Sequence, residues 1–339
     1  EIHPNVALLL CTSGTTGSSK LVKLSYENLF NNSEYADLHL NIKERHTGIT
    51  PLPINYTYGF AFYLWHWHCG ATMLVTEHLV LSREFNEFCI REKISHLAAV
   101  PVTFEMLNKV SFWDNKKREQ LHWAMSGGAQ MSESEQKNMV SLLANKFWIG
   151  YGQTECTCII SGICFDKNAI KIGTIGKAFD NMDISLNKET DELIVRSESV
   201  CMGYASCVEQ LKEGDMNNGV WHTGDVAYMD EDGCIYLKGR IARFVKILGN
   251  RISLDEIERV LKKIYSEIEF ACTGRDDNIE IYYVGAAKIN KDIQMQLTER
   301  FKIPEKFISC FTISEIPRNE SGKIQYVQLK GYKDGKANS

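Results

Sequence analysis

One stretch decides the fold: Leu8-Leu9-Leu10-Cys11-Thr12-Ser13-Gly14-Thr15-Thr16-Gly17-Ser18-Ser19-Lys20. The apolar residues that begin at Val6 predict a buried strand, which leads into small residues and ends at a lysine. Gly14 and Gly17 let the backbone turn freely. Backbone N–H groups and hydroxyls then face an anion, and the hydroxyls are those of Thr12, Ser13, Thr15 and Thr16. Lys20 adds a mobile positive charge, so the stretch predicts a loop that binds a polyphosphate.

This loop is not a Walker A loop, which has the pattern G-x-x-x-x-G-K-[ST]. Gly14 and Gly17 are three residues apart, and no glycine precedes Lys20. This spacing argues against a P-loop kinase or phosphohydrolase. The alternative is a flexible Ser/Thr/Gly surface linker. A linker would not directly follow a buried strand, so the phosphate loop is the favoured interpretation.

The composition is that of an ordinary soluble protein. The chain has 339 residues, which suggests roughly two domains. Apolar residues make up 44% and charged residues 24%, and the net charge is −5. Such a charge favours neither nucleic acid nor an anionic membrane as a partner. No apolar run approaches the roughly 20 residues of a membrane helix.

The cysteines favour a reducing compartment. There are eleven of them, an odd number at irregular spacing and without a C-x-x-C pair. Cys69, Cys89, Cys164 and Cys310 lie in apolar runs, which predicts small buried side chains. We therefore expect a cytoplasmic protein.

The cluster His66-Trp67-His68-Cys69 raises the question of a metal. Ligands two residues apart do not share a helix face, and no second pair of ligands follows nearby. A position in the core or in the wall of a pocket is the favoured interpretation.

Alternating strands and helices predict an open α/β sheet in the first half of the chain. Apolar segments such as 94–100 and 147–149 are typical of strands, and helices are expected after Ser25 and Ser132 and from Pro101. The first of these helices carries apolar or small residues at helical spacing: Tyr26, Leu29, Phe30, Ser33 and Ala36. Small residues end the strands, as in Gly127-Gly128, so a ligand is expected beyond the strand tips.

The pattern of predicted secondary structure changes twice further along the chain. From about residue 160, hairpins are predicted, the clearest around the turn Asp230-Glu231-Asp232-Gly233. After Gly239-Arg240 a smaller α+β pattern begins, with a helix capped by Ser253 and Glu256. The prediction is a large domain over 1–240 with a hairpin-rich subdomain, then a small domain over 241–339. A frayed polar tail is expected from Gly331 to Ser339.

Five blocks of sequence now stand in order: 12–20, 151–155, 221–240, 246–258 and 317–324. Together they resemble the adenylate-forming superfamily of acyl-CoA synthetases, peptide-synthetase adenylation domains and luciferases, over nearly the whole chain. The resemblance implies that a carboxylate attacks the α-phosphate of ATP, giving an acyl-adenylate and pyrophosphate. A thiol of CoA or of a carrier-protein phosphopantetheine then takes the acyl group. It also implies that the C-terminal domain is a mobile lid.

The resemblance implies roles for individual residues in binding ATP and magnesium. Residues 12–17 and Lys20 match the loop that holds the β- and γ-phosphates, and Thr154 matches a contact to the α-phosphate. Glu155 matches the Mg²⁺ carboxylate. The residues that match the adenine and ribose site are Gly127, Gly128, Ala129, Tyr151, Gly152, Asp225 and Arg240.

Two lysines match the two half-reactions. Lys323 matches the catalytic lysine of adenylate formation, a long point charge that reaches both the carboxylate and the α-phosphate. Lys246 and Gly249 match the loop that replaces Lys323 when the small domain rotates for thiol transfer.

Three departures from the family pattern stand out. Ser19 replaces the usual proline before Lys20, and Ala242 replaces the usual Asp or Lys at the pivot. Family members also carry a substantial segment before the phosphate loop. Because the sequence begins at Glu1 without Met, we expect a fragment lacking part of one subdomain, which could itself be inactive.

The substrate stays open at the level of sequence. Asn55, Tyr56 and Tyr58, with the stretch 156–160, are candidates for the acyl pocket and suit either a short chain or a ring. The segment 52–60 and Gln153 favour an acyl over an aminoacyl substrate. The alternatives are an amino-acid-activating domain and a non-catalytic nucleotide-binding protein on the same fold. Ala242 and the missing segment favour the non-catalytic alternative, whereas Lys323, Glu155 and Asp225 argue against it.

Overall fold

The computed structural model describes residues 1–12, 20–165, 171–285, 289–319 and 322–329. Within these residues the strands are β1 (Val6–Thr12), β2 (Lys20–Ser25), β3 (Thr47–Ile49), β4 (Thr72–Leu74), β5 (His96–Ala99), β6 (Trp123–Ser126), β7 (Phe147–Tyr151), β8 (Ser161–Cys164), β9 (Lys177–Ala178), β10 (Asp183–Leu186), β11 (Glu192–Arg196), β12 (Gly203–Ala205), β13 (Val220–Met229), β14 (Ile235–Arg240), β15 (Phe244–Ile247), β16 (Asn250–Ser253), β17 (Phe270–Arg275), β18 (Asn278–Val284) and β19 (Ile308–Ile313). The α-helices are α1 (Tyr26–Leu40), α2 (Thr57–His68), α3 (Arg83–Arg91), α4 (Pro101–Lys109), α5 (Asn115–Gln120), α6 (Glu133–Leu143), α7 (Leu254–Ile264), α8 (Asn290–Phe301) and α9 (Tyr326–Leu329). Two 3₁₀ turns also matter below, Thr154–Cys156 and Ile241–Arg243.

The largest sheet has the strand order β4-β3-β5-β6-β7-β8-β9. Pairing is parallel from β4 to β7 and antiparallel from β7 to β9. Its two faces are covered by separate apolar cores. Phe62 and Trp65 of α2 pack on one face, and Phe85 of α3 and Phe104 of α4 pack on the other. This arrangement confirms the predicted α/β class and brings the carboxyl ends of β5, β6 and β7 to one edge.

Hairpins build the next part of the chain, as predicted. Strands β10, β11, β13 and β14 form one antiparallel sheet, and β1, β2 and β12 form another. The C-terminal part combines the hairpin β15–β16 with a three-stranded sheet of β17, β18 and β19. Its main apolar core draws on residues from Val245 onward and packs against Leu261 of α7 and Leu297 of α8.

Serine caps start the predicted helices. Ser25 accepts a hydrogen bond from the Asn28 N–H at 3.0 Å, and Ser132 accepts one from the Glu135 N–H at 3.2 Å. Ser253 does the same for the Glu256 N–H at 3.2 Å. Each cap satisfies one backbone donor that has no partner inside its helix.

The expected apolar face of α1 is wrong in part. Tyr26 and Phe30 are exposed, and the buried residues of the helix include Asn28 and Asn32. Asn28 Nδ2 donates to the carbonyls of Glu198 and Val200 at 2.6 and 2.8 Å. Asn32 Nδ2 donates to the Ile159 carbonyl at 3.1 Å. The helix turns its amides inward because these carbonyls need donors.

The cysteine expectation is also only partly correct. Cys89 is buried, but Cys69, Cys164 and Cys310 are partly exposed. The expected polar tail, 331–339, lies outside the described residues. No described helix combines the length and apolar character needed to cross a membrane.

Candidate active site

Asp225 of β13 lies beside the carboxyl end of β7 in the large sheet, in a group of polar and charged residues that we call the cleft. Its side chain is buried, and its Oδ1 pairs with Arg240 Nε of β14 at 2.8 Å. The register that places Asp225 opposite Arg240 in the β13–β14 hairpin makes this contact. Tyr151 Oη and Gln153 Nε2 donate to Oδ2 at 2.6 and 2.7 Å.

Burial raises the pKa of Asp225, and Arg240, Tyr151 and Gln153 oppose that rise. Both carboxylate oxygens already accept bonds from protein donors. Hydroxyl groups of a ligand would therefore have to share Asp225 with Arg240 or displace it. Gln153 is itself held by Trp221, whose Nε1 donates to Gln153 Oε1 at 2.8 Å.

Glu155 lies in the 3₁₀ turn after β7 and connects to the β2–β12 sheet. Tyr204 Oη of β12 donates to Glu155 Oε1 at 2.6 Å. Lys20 Nζ lies 5.4 Å from the centre of the Tyr204 ring. Next to Glu155, Thr154 Oγ1 lies 2.7 Å from Thr57 Oγ1, at the start of α2. Tyr204 has no sequence signal for this place, because only the pairing of β12 with β2 brings it here.

Glycines line the cleft where strands end. Gly128 follows β6 with φ +79°, and a Cβ at this position would lie 2.6 Å from Tyr56 Oη. A side chain at Gly152 would lie 1.3 Å from the Cys158 carbonyl oxygen. Gly127 is buried, and Ala129 is exposed. At 152 the backbone approaches the Cys158 backbone too closely for any side chain, whereas at 128 a side chain would be strained and would contact Tyr56.

Lys323 reaches this cleft from the C-terminal part of the chain. The Lys323 N–H donates to Asn319 Oδ1 at 2.9 Å. Gly322, the residue before Lys323, has φ +78°. Lys323 Nζ lies 5.7 Å from the centre of the Tyr56 ring.

The charged residues of the cleft shift the pKa of Lys323. The side chain remains accessible to water, yet the surrounding protein removes part of its hydration, and this desolvation lowers the pKa of Lys323. Arg240 lowers it further, whereas Glu155 and Asp225 raise it. The structure thus brings together four residues that the sequence separates by up to 168 positions: Glu155, Asp225, Arg240 and Lys323.

Lys246 occupies a different place. It is exposed on β15, and its N–H donates to Asp276 Oδ1 at 2.8 Å. It is not one of the charges that act on Lys323. Gly249, in the β15–β16 turn, has φ +84° and open space around it.

The candidate acyl-pocket residues differ in exposure. Asn55 is exposed, and Tyr56 is partly buried, with burial raising its pKa to about 12. Tyr58 is buried, and its hydroxyl donates to the Met125 carbonyl at 3.0 Å. Cys156 and Ile159 are also buried. Between them, Cys158 has φ +100°, a strained conformation for a residue with a side chain.

Most of the predicted phosphate loop lies outside the described residues: Ser13, Gly14, Thr15, Thr16 and Gly17. The described ends of the hairpin are in register, since Thr12 pairs with Lys20 between β1 and β2. Lys20 therefore lies at the mouth of that hairpin, beside Tyr204.

A site at the carboxyl ends of parallel strands, with glycines, two carboxylates and a lysine from the C-terminal part of the chain, is the arrangement expected of ligand-binding α/β proteins. Residues 2–205 match the family described as AMP-binding enzyme, and the chain belongs to this family. It is related to adenylate-forming ligases.

Two relatives illustrate the distance. The chain is 25% identical to 2-succinylbenzoate–CoA ligase of Geobacillus sp. (strain WCH70), a match that covers 96% of this chain and 69% of that protein. It is also 25% identical to 4-coumarate–CoA ligase CCL1 of Humulus lupulus, covering 96% of this chain and 64% of that protein.

Solved structures show the same fold. The o-succinylbenzoate CoA synthetase MenE of Bacillus subtilis, in complex with its acyl-adenylate intermediate, matches with a TM-score of 0.81. The identity is 22%, over 97% of this chain and 70% of that one. ATP-bound MatB of Rhodopseudomonas palustris matches equally, with a TM-score of 0.81 and 22% identity over 97% of this chain and 68% of that one.

Proposed function

We propose that this protein is an ATP-dependent acid–thiol ligase. The observation that carries the proposal is the position of Lys323, which reaches from the C-terminal part of the chain toward Glu155 and Asp225. A surface lysine without a role would remain fully hydrated, because partial desolvation destabilises its charged form. A lysine that stabilises charge on a reacting phosphate has to be there.

The proposed reaction has two steps. A carboxylate oxygen of the acid attacks the α-phosphorus of ATP and forms a new P–O bond. The bond between the α-phosphorus and the oxygen that bridges it to the β-phosphorus breaks, and pyrophosphate leaves. A thiol sulfur then attacks the carbonyl carbon of the acyl-adenylate, AMP leaves, and the thiol proton passes to solvent. Lys323 stabilises the negative charge that gathers on the attacking carboxylate and α-phosphate in the first step.

The other residues position ATP. Asp225, which also pairs with Arg240, accepts hydrogen bonds from the ribose hydroxyls. Tyr151 and the turn Gly127-Gly128-Ala129 border the adenine. Gly152 keeps the Tyr151 backbone close to Cys158. Thr154 contacts the α-phosphate, and Lys20 with residues 12–17 holds the β- and γ-phosphates.

Glu155 suits a magnesium ion that accompanies ATP. Mg²⁺ prefers carboxylate oxygens and takes one or two of them together with phosphate and water. Tyr204 fixes the Glu155 carboxylate through Oε1 and so orients its second oxygen. When bound, the ion supplies neutralisation of phosphate charge.

The second step involves a rotation of the C-terminal domain, residues 241–339. We propose that this domain acts as a lid, which brings Lys246 and Gly249 to the cleft in place of Lys323. The acceptor is CoA or a carrier-protein phosphopantetheine. The acid is a small molecule that contacts Asn55, Tyr56, Tyr58 and the stretch 156–160.

The test is carboxylate-dependent ATP–pyrophosphate exchange on the full-length gene product. We expect exchange with at least one carboxylate and a large loss, on the order of 100-fold, in Lys323→Ala. Lys262→Ala, which removes an exposed lysine of α7, serves as the matched control and should exchange like the wild type. Formation of a thioester with CoA or with a phosphopantetheinylated carrier protein then identifies the acceptor.

Two results would contradict the proposal. Background exchange with every carboxylate offered would favour the non-catalytic alternative. Exchange driven only by amino acids would favour an amino-acid-activating domain. Full exchange in Lys323→Ala would refute the role of the lysine alone.

A further inference from the structure

Four histidines meet at the edge of the large sheet opposite the cleft. His46 immediately precedes β3, His96 begins β5, and His122 immediately precedes β6. These are the amino ends of neighbouring parallel strands, whereas the cleft lies at the carboxyl ends. The fourth, His66, comes from α2, which packs on this sheet.

A chain of contacts fixes where the protons lie. His66 Nδ1 is 2.8 Å from the Phe62 carbonyl oxygen, which can only accept, so Nδ1 carries the proton. The neutral ring then offers Nε2 as an acceptor, and this atom is 2.8 Å from His96 Nδ1. His96 Nδ1 must therefore donate. The lone pair of His96 is left on Nε2.

That lone pair points into the cluster. His96 Nε2 lies 3.1 Å from His122 Nδ1, which therefore carries a proton and donates to it until a metal ion replaces that proton. The ring of His46 has its centre 4.6 Å from the centres of both the His96 and His122 rings. One ligand nitrogen from each of His46, His96 and His122 lies within 4.8 Å of the other two.

The surrounding residues hold this geometry. The His96 ring stacks on Trp123, with centroids 4.3 Å apart and an interplanar angle of 13°. A Cβ at Gly48 would lie 2.5 Å from His66 Nε2, so glycine at this position leaves room for the imidazole relay. His46 and His96 are buried, whereas His122 is partly exposed and opens a route to solvent.

Burial lowers the pKa of His46 and of His66 to about 4, and it lowers the pKa of His96 still further. Burial therefore favours the uncharged form of these rings.

We propose that His46, His96 and His122 bind one transition-metal ion of the Zn²⁺ type, with His66 orienting His96. Metal-bound histidines usually donate their second N–H to a fixed acceptor, as His96 does to His66. Three imidazoles suit Zn²⁺, Co²⁺, Ni²⁺ or Cu²⁺ and do not suit Mg²⁺. Zn–N bonds of about 2.0–2.1 Å require the three rings to move closer together, and water takes the fourth position.

Two features limit the affinity. Lys43, Arg45 and Lys146 place positive charge near His46 or His122. The Lys43 N–H also donates to His46 Nδ1 at 3.1 Å, which leaves the proton of that ring on Nε2. To bind a metal, His46 must release the Lys43 N–H and bind through Nδ1, or move its proton from Nε2 to Nδ1 and bind through Nε2. Lys43 is exposed, so its N–H can bond to water instead.

The test titrates the full chain, under reducing conditions, with Co²⁺ and then Zn²⁺. We expect one equivalent of Co²⁺ to give visible d–d bands without a thiolate charge-transfer band, since the eleven cysteines take no part. Zn²⁺ should displace the Co²⁺ and raise the melting temperature. His122→Asn removes a partly exposed ligand at small risk to the fold, and it should abolish both effects. His78→Asn, an exposed histidine outside the cluster, is the matched control.

A second variant tests the relay. His66→Gln should weaken Zn²⁺ binding by about 10- to 100-fold, the usual effect of losing an orienting partner. The proposal is overturned if the wild type binds no Co²⁺ or Zn²⁺ equivalent, if thiolate bands dominate, or if His122→Asn binds like His78→Asn.

Discussion

The charge of Lys323 depends on two opposing sets of neighbours. Desolvation and Arg240 lower the pKa of this lysine, and Glu155 and Asp225 only partly restore it. A lysine with a lowered pKa loses its proton at a lower pH than an ordinary lysine. Because only the charged form stabilises negative charge, we expect kcat/KM for exchange to fall as the pH rises, with a midpoint below the ordinary lysine pKa.

The pH–rate profile of Lys323→Arg checks this assignment. A guanidinium stays protonated throughout, so the alkaline fall should disappear even if the rate is lower. A profile with the same alkaline midpoint in both proteins would assign the titration to a different group.

Gly128 gives a second prediction at this scale. Its φ of +79° disfavours any side chain, and a new Cβ would also lie 2.6 Å from Tyr56 Oη. Gly233 has nearly the same φ, +78°, but open space around it. We expect Gly233→Ala to cost about 1 kcal/mol of unfolding free energy from backbone strain alone. Gly128→Ala should cost more and should weaken ATP binding.

Urea denaturation measures the unfolding free energy of each variant, and nucleotide titration measures its affinity for ATP. Adding Tyr56→Phe to Gly128→Ala removes the hydroxyl that clashes, so it should recover part of the excess cost over Gly233→Ala. Equal costs for the two glycine variants would show that the contact with Tyr56 has no energetic weight.

Single residues were predictable where a motif surrounds them. The pairing of Asp225 with Arg240 follows from the register of one hairpin, and both residues lie in a recognisable block. Tyr204 has no such signal, because its contact with Glu155 depends on β12 joining a sheet built far earlier in the chain. Long-range pairing of this kind leaves no local trace in the sequence.

Helices, like single residues, were predictable where local chemistry decides the outcome and not where distant segments do. Serine caps mark the starts of α1, α6 and α7 because capping is local chemistry. The buried face of α1 was not predictable from hydrophobic spacing, since Asn28 and Asn32 satisfy carbonyls that other segments supply.

The segment that carries Lys323 is held by a partly buried network of the C-terminal part. The Arg243 guanidinium lies 3.7 Å from the centre of the Tyr326 ring and pairs with Glu258 at 2.6 Å. Tyr326 Oη donates to the same carboxylate at 3.0 Å, three residues after Lys323. Asp255 pairs with Arg243 and accepts the Arg240 N–H at 3.0 Å. Asp255 and Arg243 thus provide polar contacts beside the exposed Ala242.

This network predicts graded effects at position 326. Tyr326→Phe removes one hydrogen bond to the partly buried, charged Glu258 and keeps the stacking, so we expect a loss of about 1.5–3 kcal/mol in unfolding free energy. Tyr326→Ala also removes the stacking and should lower kcat for exchange more than Tyr326→Phe does. KM for ATP should change little, because Tyr326 acts through Lys323 and touches no part of the proposed ATP site. A change confined to KM would argue against a positioning role.

For the whole molecule, the proposed lid motion predicts that two lysines serve different steps. Lys323 faces the cleft, whereas Lys246 is exposed on β15 and is not among the groups that shift the pKa of Lys323. If the C-terminal domain rotates between steps, Lys323→Ala should lose most exchange, on the order of 100-fold, but still transfer the acyl group from a supplied acyl-adenylate to the thiol. Lys246→Ala should keep exchange and lose thioester formation. Single-turnover assays of each half-reaction measure both, with Lys262→Ala as the control. Because a rigid molecule would present only Lys323 to both steps, equal losses in both half-reactions for Lys323→Ala, with none for Lys246→Ala, would refute the rotation and leave the fold and the nucleotide cleft as they stand.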